Sequence, residues 1–260
     1  MTWFKDPVTL DSTSLTLIHI TDSHVFKELT GHYFTVNTAS NLLRALEVIA
    51  SIPCDAVIFG GDLTQDHSVE SYHLFAKLVK QVGLQNKCYW VPGNHDDIEV
   101  YQAVFSEYGI AHQKVIENQT WQVLLANSKS KTPAGYIADS HLNSLHTEIE
   151  KRAKHTVVFT HHHPLPINGY LDKHILENGP ELLDMCHRVG HVKALFHGHV
   201  HNEYAWHFEQ LSVFATPATS IQFEKNTPQW QQIDLGPAFR MIRLNPNGSI
   251  NTQVVWLDNV

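Results

Sequence analysis

Cysteine is scarce in this sequence: three occur in 260 residues, Cys54, Cys88 and Cys186, far apart and with no CxxC pair. That spacing argues against a disulfide framework and suits reduced thiols in the cytosol. Positive charge is short as well, with 18 Lys and Arg against 26 Asp and Glu, a formal net charge of -8 and no Lys/Arg block anywhere. Broad electrostatic binding to nucleic acid or to an anionic membrane is therefore disfavoured, and an anionic substrate would need a local source of positive charge. Long apolar runs are missing too. Residues 1–7 hold none that would serve as a signal peptide and nothing later approaches a membrane span, so a soluble, cytoplasmic protein is expected. On that reading the glycosylation sequons at Asn118 and Asn247 are chance matches. No linker rich in Gly, Ser or Pro, no low-complexity tract and no internal repeat divides the chain. With 43% hydrophobic and 17% charged residues it can bury a substantial core, and residues 1–260 read as one domain.

What is present in excess is histidine, 20 residues of it, so the question is where the imidazoles cluster. Short apolar or β-branched runs at 15–20, 55–59, 87–91, 121–125, 156–160 and 193–196 are each about one strand long. Between them lie helical spacings: Leu42, Leu43, Leu46 and Ile49; Tyr72, Phe75, Leu78, Val79 and Val82; Leu142, Leu145 and Ile149; Leu182, Leu183 and Met185. The alternation predicts an α/β core. After about residue 203 the strands become closely spaced, with a hairpin in which Asn247-Gly248 joins 239–244 to 250–256, so a second sheet is expected to follow the α/β half.

The regularity that carries chemistry lies just after each strand. Ile20 leads to Thr21-Asp22-Ser23-His24, Phe59 to Gly60-Gly61-Asp62, Val91 to Pro92-Gly93-Asn94-His95-Asp96, Thr160 to His161-His162-His163, and Phe196 to His197-Gly198-His199-Val200-His201. In an α/β sheet the C-terminal strand ends share one edge, where ligands bind. Asp22 and His24 are two apart, so in extended chain both leave on one face and can chelate one ion, and His199 and His201 repeat the spacing. Gly61, Gly93 and Gly198 let the backbone turn beside them. Mixed Asp, Asn and His ligation suits Fe, Mn, Zn or Co. Two carboxylates, one amide oxygen and four imidazoles exceed one tetrahedral ion and suit two ions with a shared ligand, for which Asp62 is the natural bridge. Each piece also has a plainer reading: Asp62 as a helix cap, a lone DxH or HxH as unrelated polar residues, the His161–163 run as a polar loop. Their order on successive strand ends favours the metal reading.

That ordered set, with "ITDSHVF", "GDLTQD", "VPGNHD", "HHHPLP", "GHVHNE" and "ATPATSIQF", resembles the calcineurin-like metallophosphoesterase superfamily, and within it the bacterial 3′,5′-cyclic-AMP phosphodiesterases. The resemblance spans nearly the whole chain and implies an α/β fold, a four-layer αββα sandwich of two mixed sheets with the metals between the sheet edges. It implies Asp22, His24, Asp62 and His201 on one ion and Asp62, Asn94, His161 and His199 on the other, with His161 rather than His162 because the family ligand is the first histidine of the loop. It further implies His24, Asn94, His95 and His201 against the substrate, His95 as the catalytic histidine near the leaving oxygen, and Asp96 as a group to orient it. Two divalent ions, Fe or Mn first and Zn or Co as alternatives, would leave about +2 beside Asp22 and Asp62, the local positive charge that an acidic protein needs to draw in a phosphodiester. The implied reaction is hydrolysis of cyclic AMP to 5′-AMP by attack of a metal-bound hydroxide, with a broad-range small-molecule phosphodiesterase or a non-catalytic metal-binding module as alternatives. The partner is then a small cyclic nucleotide, with no nucleic acid or membrane, and the oligomeric state is left open. Two departures stand out. His197 occupies a position where a small or apolar residue is expected, and residues 61–66 lack the arginine of the protein phosphatases, which argues against a phosphoprotein substrate. The rim for base or sugar is expected from the loop 164–180, punctuated by Asn168-Gly169 and Asn178-Gly179-Pro180.

Overall fold

The computed structural model describes residues 3–258. Met1 and Thr2, where the search for a signal sequence began, and the last two residues of the expected domain lie outside them. The strands are β1 (Val8–Thr9), β2 (Leu15–Ile20), β3 (His32–Tyr33), β4 (Val36–Asn37), β5 (Ala56–Phe59), β6 (Cys88–Trp90), β7 (Val115–Glu117) and β8 (Trp121–Leu125). After these come β9 (His155–Phe159), β10 (Val192–His197), β11 (Tyr204–Phe208), β12 (Leu211–Ala215), β13 (Gln222–Phe223), β14 (Gln232–Ile233), β15 (Ala238–Leu244) and β16 (Ile250–Trp256). Among the described residues five α-helices separate them: α1 (Thr38–Ala50), α2 (Val69–Gln81), α3 (Ile98–Tyr108), α4 (Asp139–Arg152) and α5 (Gly179–Val189).

The main strands form two mixed sheets, one of five strands in the order β16-β15-β2-β5-β6 and one of seven in the order β1-β7-β8-β9-β10-β12-β11. Their central strands are parallel and buried on both faces, which is why β5 reads Ala-Val-Ile-Phe and β8 Trp-Gln-Val-Leu-Leu without a polar face. Leu15, Leu17, Ala56 and Ile58 meet Val123, Val157, Phe159, Ala194 and Phe196 between the sheets. On the outer face of the five-stranded sheet, Ile18, Ile20, Val57 and Phe59 pack under α1, α2 and α3. On the outer face of the other, Leu124, Val158 and Leu195 pack under α4 and α5. The result is a four-layer αββα sandwich.

One expectation needs correction. The second sheet does not follow the α/β half. The α/β half is itself split between the two sheets, and the C-terminal hairpin returns to the N-terminal one, where β15 runs antiparallel to β2 with Arg240 opposite His19. Asp62 is no helix cap either, because the N-cap of α2 is Ser68, whose side chain accepts from the Ser71 N–H.

Candidate metal centre

The loops after β2 and β5 run side by side. Asp22 N donates to Gly61 O at 2.9 Å, His24 N to Asp62 O at 3.1 Å and Val25 N to Leu63 O at 2.8 Å. The DxH spacing does not act through extended chain as expected: φ is +54° at Asp22 and +44° at His24, and +66° and +53° at His199 and His201. Asp62, with φ of +54°, is left-handed as well. Each such residue costs about 1–3 kcal/mol of backbone strain, which persists only where surrounding structure over-determines it. Two glycines make room for the carboxylates. A Cβ on Gly93 would stand 2.1 Å from Asp62 Oδ1, and one on Gly198 would stand 2.6 Å from Asp22 Oδ2.

The outer ring nitrogens determine what the inner ones offer. His161 Nδ1 lies 2.7 Å from Gly60 O and His201 Nδ1 lies 2.8 Å from Ile221 O. Carbonyl oxygens only accept, so both Nδ1 atoms carry the proton and, in the neutral rings, both Nε2 atoms are left as lone pairs. His24 Nδ1 sits 2.8 Å from Gln65 Oε1 with the same consequence. These inner nitrogens face one another and two carboxylates. His24 Nε2 and His201 Nε2 are 3.1 Å apart. Asp22 Oδ1 is 3.3 Å from His201 Nε2, and Asp62 Oδ2 is 3.7 Å from His24 Nε2 and 3.4 Å from His161 Nε2. Asn94 Oδ1 and His199 Nδ1 each lie 3.2 Å from His161 Nε2. Acceptors packed so closely repel unless a cation or proton lies among them.

Burial and charge act accordingly. Burial pulls the His24 imidazole down to about 3, with His95 and His201 adding to the effect. Burial would lower His161 too, but the Asp62 carboxylate overcomes it and holds the ring up at about 9. Asp62 in turn is held well below the usual carboxylate range, because His161 and His95 outweigh its burial. Without metal, His161 is where the cluster keeps a proton.

All seven expected ligands are brought together. Atoms of Asp22, His24 and His201 lie within 4.8 Å of one another, as do those of Asp22, Asp62 and His161. His95 forms such a trio with His24 and Asp62, while its backbone N–H donates to Asp62 Oδ1 at 2.9 Å. His162 also falls within that distance of His161 and His199. Both its ring nitrogens are engaged elsewhere, however, by Ser128 Oγ at 2.8 Å and Pro133 O at 3.2 Å.

Two assignments change. Asp96 does not orient His95. Its carboxylate accepts from the backbone N–H groups of Asp62, Leu63 and Gly93 and from the Tyr101 hydroxyl, so it fixes the loop that carries Asp62. The segment 164–180 turns through a 3-10 helix and buries Ile167 and Leu171 against Val200 and Ala215. Tyr33 and Phe223 instead stand against histidines of the cluster, Tyr33 on His24 at 5.2 Å and Phe223 on His201 at 4.3 Å. His197 is fully buried, Nδ1 against Gly198 O at 3.0 Å and its ring stacked on Trp206.

Sequence reasoning missed the cross-sheet ties. Thr219 N donates to Thr21 O, Ser220 Oγ to Asp22 O at 2.7 Å, and Thr216 Oγ1 pairs with His19 Nδ1 at 2.7 Å. The stretch "ATPATSIQF" was the available signal. It lashes the seven-stranded sheet to the loop that carries Asp22.

A family model described as calcineurin-like phosphoesterase matches residues 15–203. The chain belongs to that family. In this phosphoesterase the matched span opens on β2 and ends two residues past His201, so it contains every expected ligand. A probable cyclic nucleotide phosphodiesterase of Pseudoalteromonas sp. (strain SM9913) is 48% identical over 99% of this chain and 100% of its own length. The 3′,5′-cyclic adenosine monophosphate phosphodiesterase CpdA of Escherichia coli (strain K12) is 31% identical over 92% of this chain and 88% of its own. Among solved structures, a dimetal phosphatase from Danio rerio aligns with a TM-score of 0.61 at 12% identity, covering 88% of this chain and 95% of that one. That likeness concerns the fold.

Proposed function

We propose that this phosphoesterase hydrolyses 3′,5′-cyclic nucleotides, cyclic AMP foremost, to the 5′-monophosphate, with two divalent ions held between the sheet edges. The observation that carries the reading is the convergence of the inner ring nitrogens of His24, His161 and His201 on the Asp22 and Asp62 carboxylates. The names of relatives that align over nearly the whole chain support the substrate class. The donor set of oxygens and imidazoles fits Fe, Mn, Zn or Co. Asp22, His24, Asp62 and His201 would hold one ion, and Asp62, Asn94, His161 and His199 the other. When bound, such ions supply Lewis acidity toward the phosphoryl oxygens and lower the pKa of water from about 16 toward about 7.

The chain's own residues do the positioning. Asp96 holds the backbone of Asp62, and Lys129 Nζ holds Asn94 through its carbonyl at 2.9 Å. His95, half-buried beside Asp62, would donate a proton to the departing ribose 3′ oxygen. A net charge of -8 supports a small substrate over nucleic acid. Three free, buried cysteines suit a reducing cytoplasm, and no helix among the described residues is long and apolar enough to cross a membrane.

The test is a substrate panel on the Mn-loaded protein: cyclic AMP, cyclic GMP, glycerophosphodiesters and bis(p-nitrophenyl) phosphate. The highest kcat/KM is expected for cyclic AMP. Cleavage of glycerophosphodiesters with cyclic AMP left intact would overturn the reading in favour of a broad-range phosphodiesterase.

A further inference from the structure

A closed circuit of six rings begins and ends on two of the expected ligands. From His24 it runs to Tyr33 at 5.2 Å, Phe34 at 4.9 Å, Trp230 at 5.0 Å, Phe223 at 6.0 Å, His201 at 4.3 Å and back to His24 at 4.9 Å. At the end away from the ligands, Phe34 and Trp230 are 47% and 36% exposed. An aromatic side chain left in water gains nothing from burial, so two such rings in contact beside a reaction centre call for a reason.

The supporting backbone is built to hold them there. Phe34 sits at the turn of the β3–β4 hairpin with φ of +55°, a conformation that suits Gly or Asn and is an outlier for so bulky a residue. The strain is sustained by anchors on either side. Val36 is buried, and Asn37 caps α1 while its side-chain amide donates to Leu29 O at 2.9 Å. The opposite arm is fixed to the ligands themselves: Phe223 stacks on His201, whose Nδ1 donates to Ile221 O, and Trp230 follows between β13 and β14.

We propose that Phe34 and Trp230 form the stacking platform for the nucleobase, an inference that rests on the cyclic-nucleotide reading of the centre. The cyclic phosphate binds at the cations, and the ribose carries the base outward past His24 and His201 to the exposed ring faces. Phe34 and Trp230 touch at 5.0 Å, so the base lies on their outer faces and does not slip between them. Two rings are far too small an area for a protein interface, which needs about 1,000 Å² or more. A flat base is the occupant they fit. Stacking reads the π-face and not the hydrogen-bonding edge, so the platform selects nucleotides over baseless esters and serves cyclic AMP and cyclic GMP alike.

The experiment compares Phe34→Ala and Trp230→Ala with the wild type on cyclic AMP, cyclic GMP and the 3′,5′-cyclic phosphate of methyl riboside, which has no base. Calorimetric binding of 5′-AMP to the Mn-loaded proteins is the readout that does not depend on turnover. Each variant is expected to lose on the order of tenfold to a hundredfold in kcat/KM for both nucleotides and in AMP affinity, while the baseless ester is cleaved as before. Phe34→Tyr and Trp230→Phe restore most of the loss. Variants that lose nothing on the nucleotides, or lose as much on the baseless ester, overturn the platform and leave the cyclic-nucleotide reading standing. A wild type that leaves cyclic AMP uncut removes both.

Discussion

The two sheet edges that meet at the candidate metal centre contribute different chemistry. The five-stranded sheet delivers all three oxygen donors, Asp22, Asp62 and Asn94, with His24 and His95 beside them. The seven-stranded sheet delivers imidazoles alone, His161, His199 and His201. One edge therefore supplies carboxylate charge, and the other imidazoles, two of which, His161 and His201, are aimed by outer hydrogen bonds to backbone carbonyls. The edges also check each other across the gap, since His161 is oriented by Gly60 O from the opposite sheet and His199 N donates to Asp22 Oδ2 at 3.0 Å. Neither edge alone carries the full set of expected ligands. The centre exists only when the sheets are docked, which the packed core between them enforces.

This division can be broken at its most shared point. Asp62→Asn keeps volume but removes the anion that lies near both His24 and His161. Turnover of cyclic AMP is expected to fall to background, and retention of a tenth of it would mean the oxygen edge is dispensable. The next largest effect comes from His95→Ala, on the oxygen-rich edge but outside the expected ligand set. It should lower kcat by about 10²- to 10⁴-fold with metal content unchanged. Loss of metal in that variant would make His95 a ligand and redraw the edge. A smaller effect sharpens the contrast in how nitrogens are aimed. His161 and His201 are oriented by backbone carbonyls, whereas His24 depends on the Gln65 side chain. Gln65→Ala should weaken metal affinity about 10- to 100-fold, measured by competition with a chelator, while kcat at saturating metal changes little.

The cluster residues were legible because strand ends and metal-competent side chains are both local features. Asp22, Asp62, Asn94, His161 and His199 each follow a recognisable apolar run, and five such ends in order left few readings. What escaped was set by long-range pairing. Nothing in the run 239–244 says that it will lie against 15–20 instead of extending the strands just before it, because the alternation fits either neighbour. Asp96 misled through proximity: it adjoins His95 in sequence, yet its carboxylate is drawn to three unpaired N–H groups of the Asp62 and Gly93 turns. The left-handed backbone at Asp22, His24, His199 and His201 was equally hidden, since non-glycine residues carry no signal for it. The β3–β4 and β13–β14 hairpins are pairs of two-residue strands, below the length at which periodicity speaks, so the rings they carry were missed in favour of the loop at 164–180.

The most direct measurement is a crystal structure of the Mn-loaded protein with anomalous scattering recorded at the metal edge. Ions are expected bonded through the inner nitrogens of His24, His161 and His201, flanking Asp62, with the outer nitrogens still on Gln65, Gly60 and Ile221. Ions bonded through the outer nitrogens, a single ion that leaves His161 bare, or no anomalous signal between the sheet edges would contradict that arrangement.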